Sequence, residues 1–243
     1  MTGAARNRNL LPLAAALLLG AAGAARAEVP VGIGGEDPKS VEWFFVKPGF
    51  GYQRVWLRTL RAEDSERLTA RVIPEDLSGP APSLTIGTKL WFVSFGVTGR
   101  VAHLSGTAPE RETATLDLWS VDGELAFRAP LGPLEPYVLL GAGYSTFGGM
   151  GDVVEGMQSG LDVNGANLRG GLGFDYYLTR QVSLRLEGTS DILFLARQGV
   201  AARDLAEPKQ VGTLNEAEER LLEADGSSAG LAFGVGVGLG LHF

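Results

Sequence analysis

Leu231-Ala232-Phe233-Gly234-Val235-Gly236-Val237-Gly238-Leu239-Gly240-Leu241-His242-Phe243 ends the sequence, and its two-residue period is the signature of a β-strand. Leu231, Phe233, Val235, Val237, Leu239, Leu241 and Phe243 fall on one face; Ala232, four glycines and His242 fall on the other. One face is bulky and apolar, the other nearly empty. A half-buried strand of a water-soluble sheet keeps a polar face for solvent, and this strand has none to offer. The bulky face therefore suits hydrocarbon, and the small face suits the inside of a narrow barrel.

The same contrast recurs upstream. Phe44, Val46, Phe50, Tyr52 and Trp56 oppose Lys47, Gly49, Gly51 and Gln53. Leu84, Ile86, Leu90 and Phe92 oppose Ser83, Thr85, Gly87 and Lys89, and Val93, Phe95, Val97 and Val101 oppose Ser94, Gly96, Thr98 and Arg100. Trp119, Val121, Leu125 and Phe127 oppose Ser120, Asp122 and Glu124, and Val138, Leu140, Ala142 and Tyr144 oppose Gly141 and Gly143. Leu168, Leu172, Phe174 and Tyr176 oppose Asn167, Arg169, Gly171, Gly173 and Asp175, and Val182, Leu184 and Leu186 oppose Ser183, Arg185, Glu187 and Thr189. With the terminal strand this makes eight. Pro48, inside the first, lacks the N–H of a ladder bond and marks a bulge or an end.

The connections alternate in length. Short turns are expected around Trp91 to Ser94, Ala129 to Glu135 and Leu178 to Gln181; long ones over 58–82, 104–114, 146–164 and 196–228. The pattern predicts an all-β fold: an eight-stranded antiparallel up-and-down transmembrane β-barrel with short periplasmic turns and long extracellular loops. A soluble barrel of the lipocalin kind would alternate too, but with its apolar face inward. In the last long connection, Asn215 with Glu218 three residues on could cap a short helix up to Ala224, which Gly226 would end.

Composition narrows the function classes. Among 243 residues there are 35 glycines, no cysteine and two histidines, His103 and His242. Disulfides, thiolate chemistry and Cys-type metal sites are excluded, no metal site is expected, and no cofactor-binding motif stands out. Arg6 and Arg8, the apolar run Leu10 to Leu19 and Ala25-Arg26-Ala27 read as a signal peptide over 1–27. Residues 28–42 are expected to form a periplasmic arm and 43–243 the barrel. The formal net charge is −7, so the basic footprint of a nucleic-acid binder is missing.

On this reading Lys47, Lys89, Arg100, Arg169 and Arg185 share the barrel interior with Asp122, Glu124, Asp175, Glu187 and Asp191. Five cations against five anions predicts a paired lining, because an unpartnered buried ion costs several kcal/mol. The same residues could line a narrow ion pathway; eight strands are too few for a wide one. Trp43, Trp56, Trp119, Tyr137, Tyr144, Tyr176 and Tyr177 lie toward strand ends, where aromatic girdles are expected.

The segment Pro136 to Tyr144, the Gly-rich strand Leu168 to Tyr177 and the alternating last strand ending in Phe243 resemble the small bacterial outer-membrane barrels, the membrane domain of outer-membrane protein A and the opacity-type proteins among them. The resemblance implies residence in the outer membrane, contact with its lipid and lipopolysaccharide, and delivery by the barrel assembly machinery with Phe243 as part of the insertion signal. It leaves the role open between structure or surface interaction, a solute or ion conduit, and lipid modification. For the last, His103, Ser105 and Asp117 have a spacing that resembles the outer-membrane lipid A deacylases, with Gly106 where that family has Asn and Asp117 where it has Glu. A His activating a Ser, oriented by a carboxylate, is the logic of a serine hydrolase.

Overall fold

The computed structural model describes residues 41–58, 76–108, 111–148, 162–198 and 226–243. They form eight strands: β1 (Val41–Arg58), β2 (Asp76–Leu90), β3 (Val93–Ala108), β4 (Arg111–Arg128), β5 (Leu134–Gly148), β6 (Asp162–Thr179), β7 (Val182–Gln198) and β8 (Gly226–His242). Each pairs antiparallel with its sequence neighbours, and β8 pairs with β1, so the sheet closes into a barrel without an edge.

Register fixes the shape. From Val55 on β1 the paired row runs through Ala232, Asp191, Arg169, Gly141, Glu124, Gly96 and Gly87, and returns to β1 at Phe45, ten residues below its start. A stagger of this kind tilts the strands to roughly 35–45° from the barrel axis. At that tilt about 9–11 residues cross a bilayer. The strands are 15 to 18 residues long, so they continue beyond it.

The outer surface carries a continuous apolar band. Val235 is 63% exposed, Phe50 60% and Val121 60%, with Leu140, Leu172 and Leu186 exposed between them. Soluble monomers rarely expose more than a few hundred Å² of contiguous apolar surface, whereas here the band passes around all eight strands. It faces hydrocarbon. Trp43, Phe92, Tyr176 and Phe243 stand near its turn end; Tyr52, Trp119 and Tyr144 stand near its loop end.

Above the loop-end aromatics the pattern inverts on β2 to β5. Arg54, Asp76, His103, Ser105 and Asp117 occupy the outer face. Inside at the same level, Val55, Leu57, Leu77, Leu104, Leu116, Leu118, Phe147, Val163, Leu193 and Leu195 pack into one buried apolar cluster. On β2 to β5 the bulky side chains point out where lipid surrounds the wall and in where water does; on β7, Ile192 and Phe194 still point out beside the inward Leu193 and Leu195. The barrel is thus a membrane segment continued by a short collar with a core like that of a soluble protein.

Several expectations need correction. The connection expected over 104–114 is not long: β3 and β4 stay paired to Ala108↔Arg111. Leu104, Leu116 and Leu118 extend these strands with their apolar side inward. Val41 and Glu42, assigned to the arm, belong to β1, and a bulge between Glu42 and Phe45 turns both Trp43 and Phe44 outward while Glu42 points in. Tyr137 and Tyr177 are not girdle residues; both are buried inside the barrel, as the inward parity of their strands requires. Pro48 stays within β1 and pairs with Leu84, but the ladder to β8 skips Lys47 and Pro48. The segment expected to be a signal peptide, the rest of the expected arm and the helix expected up to Ala224 lie outside the described residues.

Candidate functional site

Two assemblies of polar side chains stand out, one inside the barrel and one on its outer wall. The interior assembly begins at the turn end with a ring to which all eight strands contribute. His242 on β8 holds Glu42 on β1 through Nδ1, at 2.7 Å, and Ser183 on β7 through Nε2, at 2.8 Å. Tyr177 on β6 donates its hydroxyl to Glu42 and Glu135, at 2.9 and 3.1 Å. Lys89 on β2 lies 2.5 Å from Glu135 on β5 and 3.5 Å from Glu42. Arg128 on β4 donates to Ser94 on β3, to Glu135 and to Asp175, and Lys47 reaches Asp175 at 2.7 Å.

A second tier lies midway along the barrel. Arg169 meets Asp122, Glu124 and Asp191 at 2.7, 2.8 and 2.6 Å. Arg100 reaches Asp191 at 3.3 Å, and Arg185 pairs with Glu187 and donates to Tyr137 at 2.7 Å. All ten charged residues assigned to the interior thus point inward, and each has a partner of opposite sign. Glu42, Arg128, Glu135 and His242 complete the network. Sequence reading missed the first three because they stand at strand ends, where alternation has too few neighbours to set a phase.

Between this tier and the β1–β8 wall is a cavity of about 50 Å³, lined on one side by Gly49, Gly51, Gly234 and Gly236 and on the other by Thr85, Thr98, Arg100 and Arg185. It has room for a few water molecules. The apolar cluster lies beyond it toward the loop end. Each buried ion is expensive alone; here Lys47 is held by Asp175, and Arg169 and Arg128 each bridge two or three carboxylates, which makes the filling stiff as well as neutralised.

On the outer wall, His103 and Asp117 are cross-strand partners on β3 and β4, with Nδ1 2.6 Å from Oδ1. A carboxylate at Nδ1 fixes the ring and leaves Nε2 free to act on a neighbour. Ser105 is two residues along the same face, paired with Ser78 on β2 and Thr115 on β4. Among the described residues no hydrogen bond joins Ser105 to His103. Beside them Tyr52 donates to Ser78 at 2.9 Å, and Arg54 makes a two-pronged ion pair with Asp76. The structure brings His103 and Asp117 together, keeps Ser105 on their face, and sets all three where the lipid band gives way to the polar collar. Among the described residues no group of His, Asp and Glu could hold a metal ion.

No protein-family model matches the chain, and no curated protein matches it. Solved structures do. Outer membrane protein AlkL, studied by solid-state NMR in DMPC lipid bilayers, is 13% identical; the match covers 90% of this chain and 96% of that one, with a TM-score of 0.52. Crystalline Neisserial surface protein A is 11% identical over 84% of this chain and 100% of its own, with a TM-score of 0.50. At such identities the likeness speaks for the fold, and it agrees with the apolar band and the closed register. In fold, the chain is a small eight-stranded β-barrel of the outer-membrane type, with lipid outside and ions inside.

Proposed function

We propose that this is an integral outer-membrane protein whose barrel is a closed anchor, and that its role, structural or in surface interaction, is exerted by the collar and the connections at the loop end. The long connections, 59–75, 149–161 and 199–225, all leave from that end, and the two chain-terminal strands both meet the turn end. In barrels of this kind the turns face the periplasm and the loops face outward. Lipid and lipopolysaccharide would surround the wall, and the terminal strand ending in Phe243 would be read by the barrel assembly machinery.

The observation that carries this reading is the filled bore. A conduit would need a continuous polar path, and here the ion-paired ring and the apolar cluster stand in series across it. Reconstitution in a planar bilayer tests the point. The reading predicts no unitary conductance steps above the bare-membrane baseline; stable steps from the purified protein would favour the narrow conduit instead.

A second reading rests on the His103–Asp117 contact at 2.6 Å. With Ser105 as nucleophile, the pair would form an acyl hydrolase acting on lipid A at the membrane surface. In that chemistry His103 Nε2 takes the Ser105 proton while Asp117 holds the ring, after a rotation of Ser105 toward it. Mass spectrometry of lipid A from cells carrying the protein or its Ser105→Ala variant decides it. Loss of an acyl chain that depends on Ser105 supports the hydrolase, and identical profiles remove it.

A further inference from the structure

The β1–β8 ladder is interrupted near the turn end, at the one proline of β1. Phe45 pairs with His242 and Val46 with Leu241; the ladder then skips Lys47 and Pro48 and resumes at Gly49↔Gly238, continuing to Arg58↔Ala229. Pro48 has no N–H to give. Just below, the bulge between Glu42 and Phe45 interrupts β1 on its other side. A two-pair stretch of ladder is therefore isolated between a break and a bulge. On its far side β8 has no such weakness, since its ladder with β7 runs from Leu241 to Gly226 without interruption.

Short isolated ladders open locally at low cost. Here side chains reinforce the stretch. Glu42 from β1 holds His242 from β8, which also holds Ser183 from β7. The Phe243 N–H donates to Phe44 O at 2.9 Å, and the Phe44 and Phe243 rings lie 6.1 Å apart on the outside. The space is made by Gly240: a Cβ there would meet Ser183 Oγ and His242 Nε2. Tyr177 and Lys89 face Glu42 from β6 and β2, and the Phe45 and Tyr177 rings flank His242.

We propose that the foot of the β1–β8 seam is a latched slot in the barrel wall. The Glu42–His242–Ser183 clamp holds it shut, and when the clamp releases, the wall parts as far as Pro48 while the rest of the barrel stays closed. The slot faces the turn-end leaflet and leads to the ionic ring, so its opening exposes charge to lipid headgroups and not to the hydrocarbon midplane. The Pro48 break sets how far the opening travels.

Residue-resolved amide exchange of the full chain folded in lipid tests this. In Glu42→Ala, the Phe243 amide is expected to exchange at least tenfold faster than in the parent, with the amides of Gly234–Gly238 unchanged. Pro48→Val, which restores an N–H to the seam, is expected to slow the Phe243 amide at least threefold and serves if Glu42→Ala does not fold. An unchanged Phe243 amide in either variant overturns the latch. So does acceleration spread equally over Gly234–Gly238 in Glu42→Ala, which would mean a barrel loosened everywhere.

Discussion

Glu42 shows what one residue contributes and why sequence reading passes it by. Counted back from Phe45 and Lys47, an even position on β1 should face lipid. The bulge shifts the phase by one, and the carboxylate lands inside beside His242 and Lys89. Nothing in the alternation announces a bulge, because Trp43 and Phe44 are both apolar and either could be the outward one. Arg128 and Glu135 are hidden for a related reason: each sits at the last or near-first position of its strand. By contrast Lys47, Arg169 and Asp175 lie in mid-strand between apolar residues, and their orientation is legible. The ion pairs also differ in weight. Lys47 and Arg128 both depend on Asp175, which is fully buried. Asp175→Ala leaves Lys47 unpaired and Arg128 with Glu135 alone, and a loss of about 3–5 kcal/mol is expected. Arg54–Asp76 has the same chemistry but its side chains are 52% and 46% exposed. Asp76→Ala should cost no more than about 1 kcal/mol. Urea unfolding of the lipid-folded protein measures both.

At the scale of elements, β2 to β5 follow a rule that changes sign along their length. Along β3, Phe95, Val97 and Val101 point out; two residues further His103 also points out, while Leu104 after it points in. A reader who equates apolar with outward sees the pattern fail at Ala102 and ends the strand there; this is why a long connection over 104–114 is expected from sequence and a tight one is found. The physical cause is the solvent, which changes from lipid to water at that height. Substitutions should therefore be felt by depth. Val121→Arg, at the level of the apolar band, is expected to destabilise by about 2–4 kcal/mol, and Ser105→Arg, on the outer face of the collar, by about 0–1 kcal/mol. Inside the collar the preference reverses: Leu104→Ala should cost about 2–5 kcal/mol through lost burial and a cavity. Unfolding from vesicles of defined thickness separates these cases, and equal costs for Val121→Arg and Ser105→Arg would contradict the placement of the boundary.

At the scale of the molecule, closure, stagger and filling belong together. Eight strands enclose a bore only wide enough for side chains, and this chain fills it with paired ions where lipid surrounds it and with leucines where water does. Eight strands, their antiparallel order and the inward set of ten charges could all be read from period-two patterning, since each depends on local alternation. The ring that joins all eight strands could not, because its members are up to 200 positions apart, as Glu42 and His242 are. Nor could the register of the His103–Asp117 contact be read: both residues fall in expected strands, but their pairing is set by the tight connection that replaces the loop expected over 104–114.

The central claim is that the bulky face of every strand contacts hydrocarbon. Refolding of the purified chain, followed by gel migration with and without heating, tests it most directly. The account predicts a compact, faster-migrating form only when lipid or detergent is supplied, and aggregation in plain buffer. A folded monomer recovered from buffer with neither would contradict it, because no water-soluble barrel can carry this exterior.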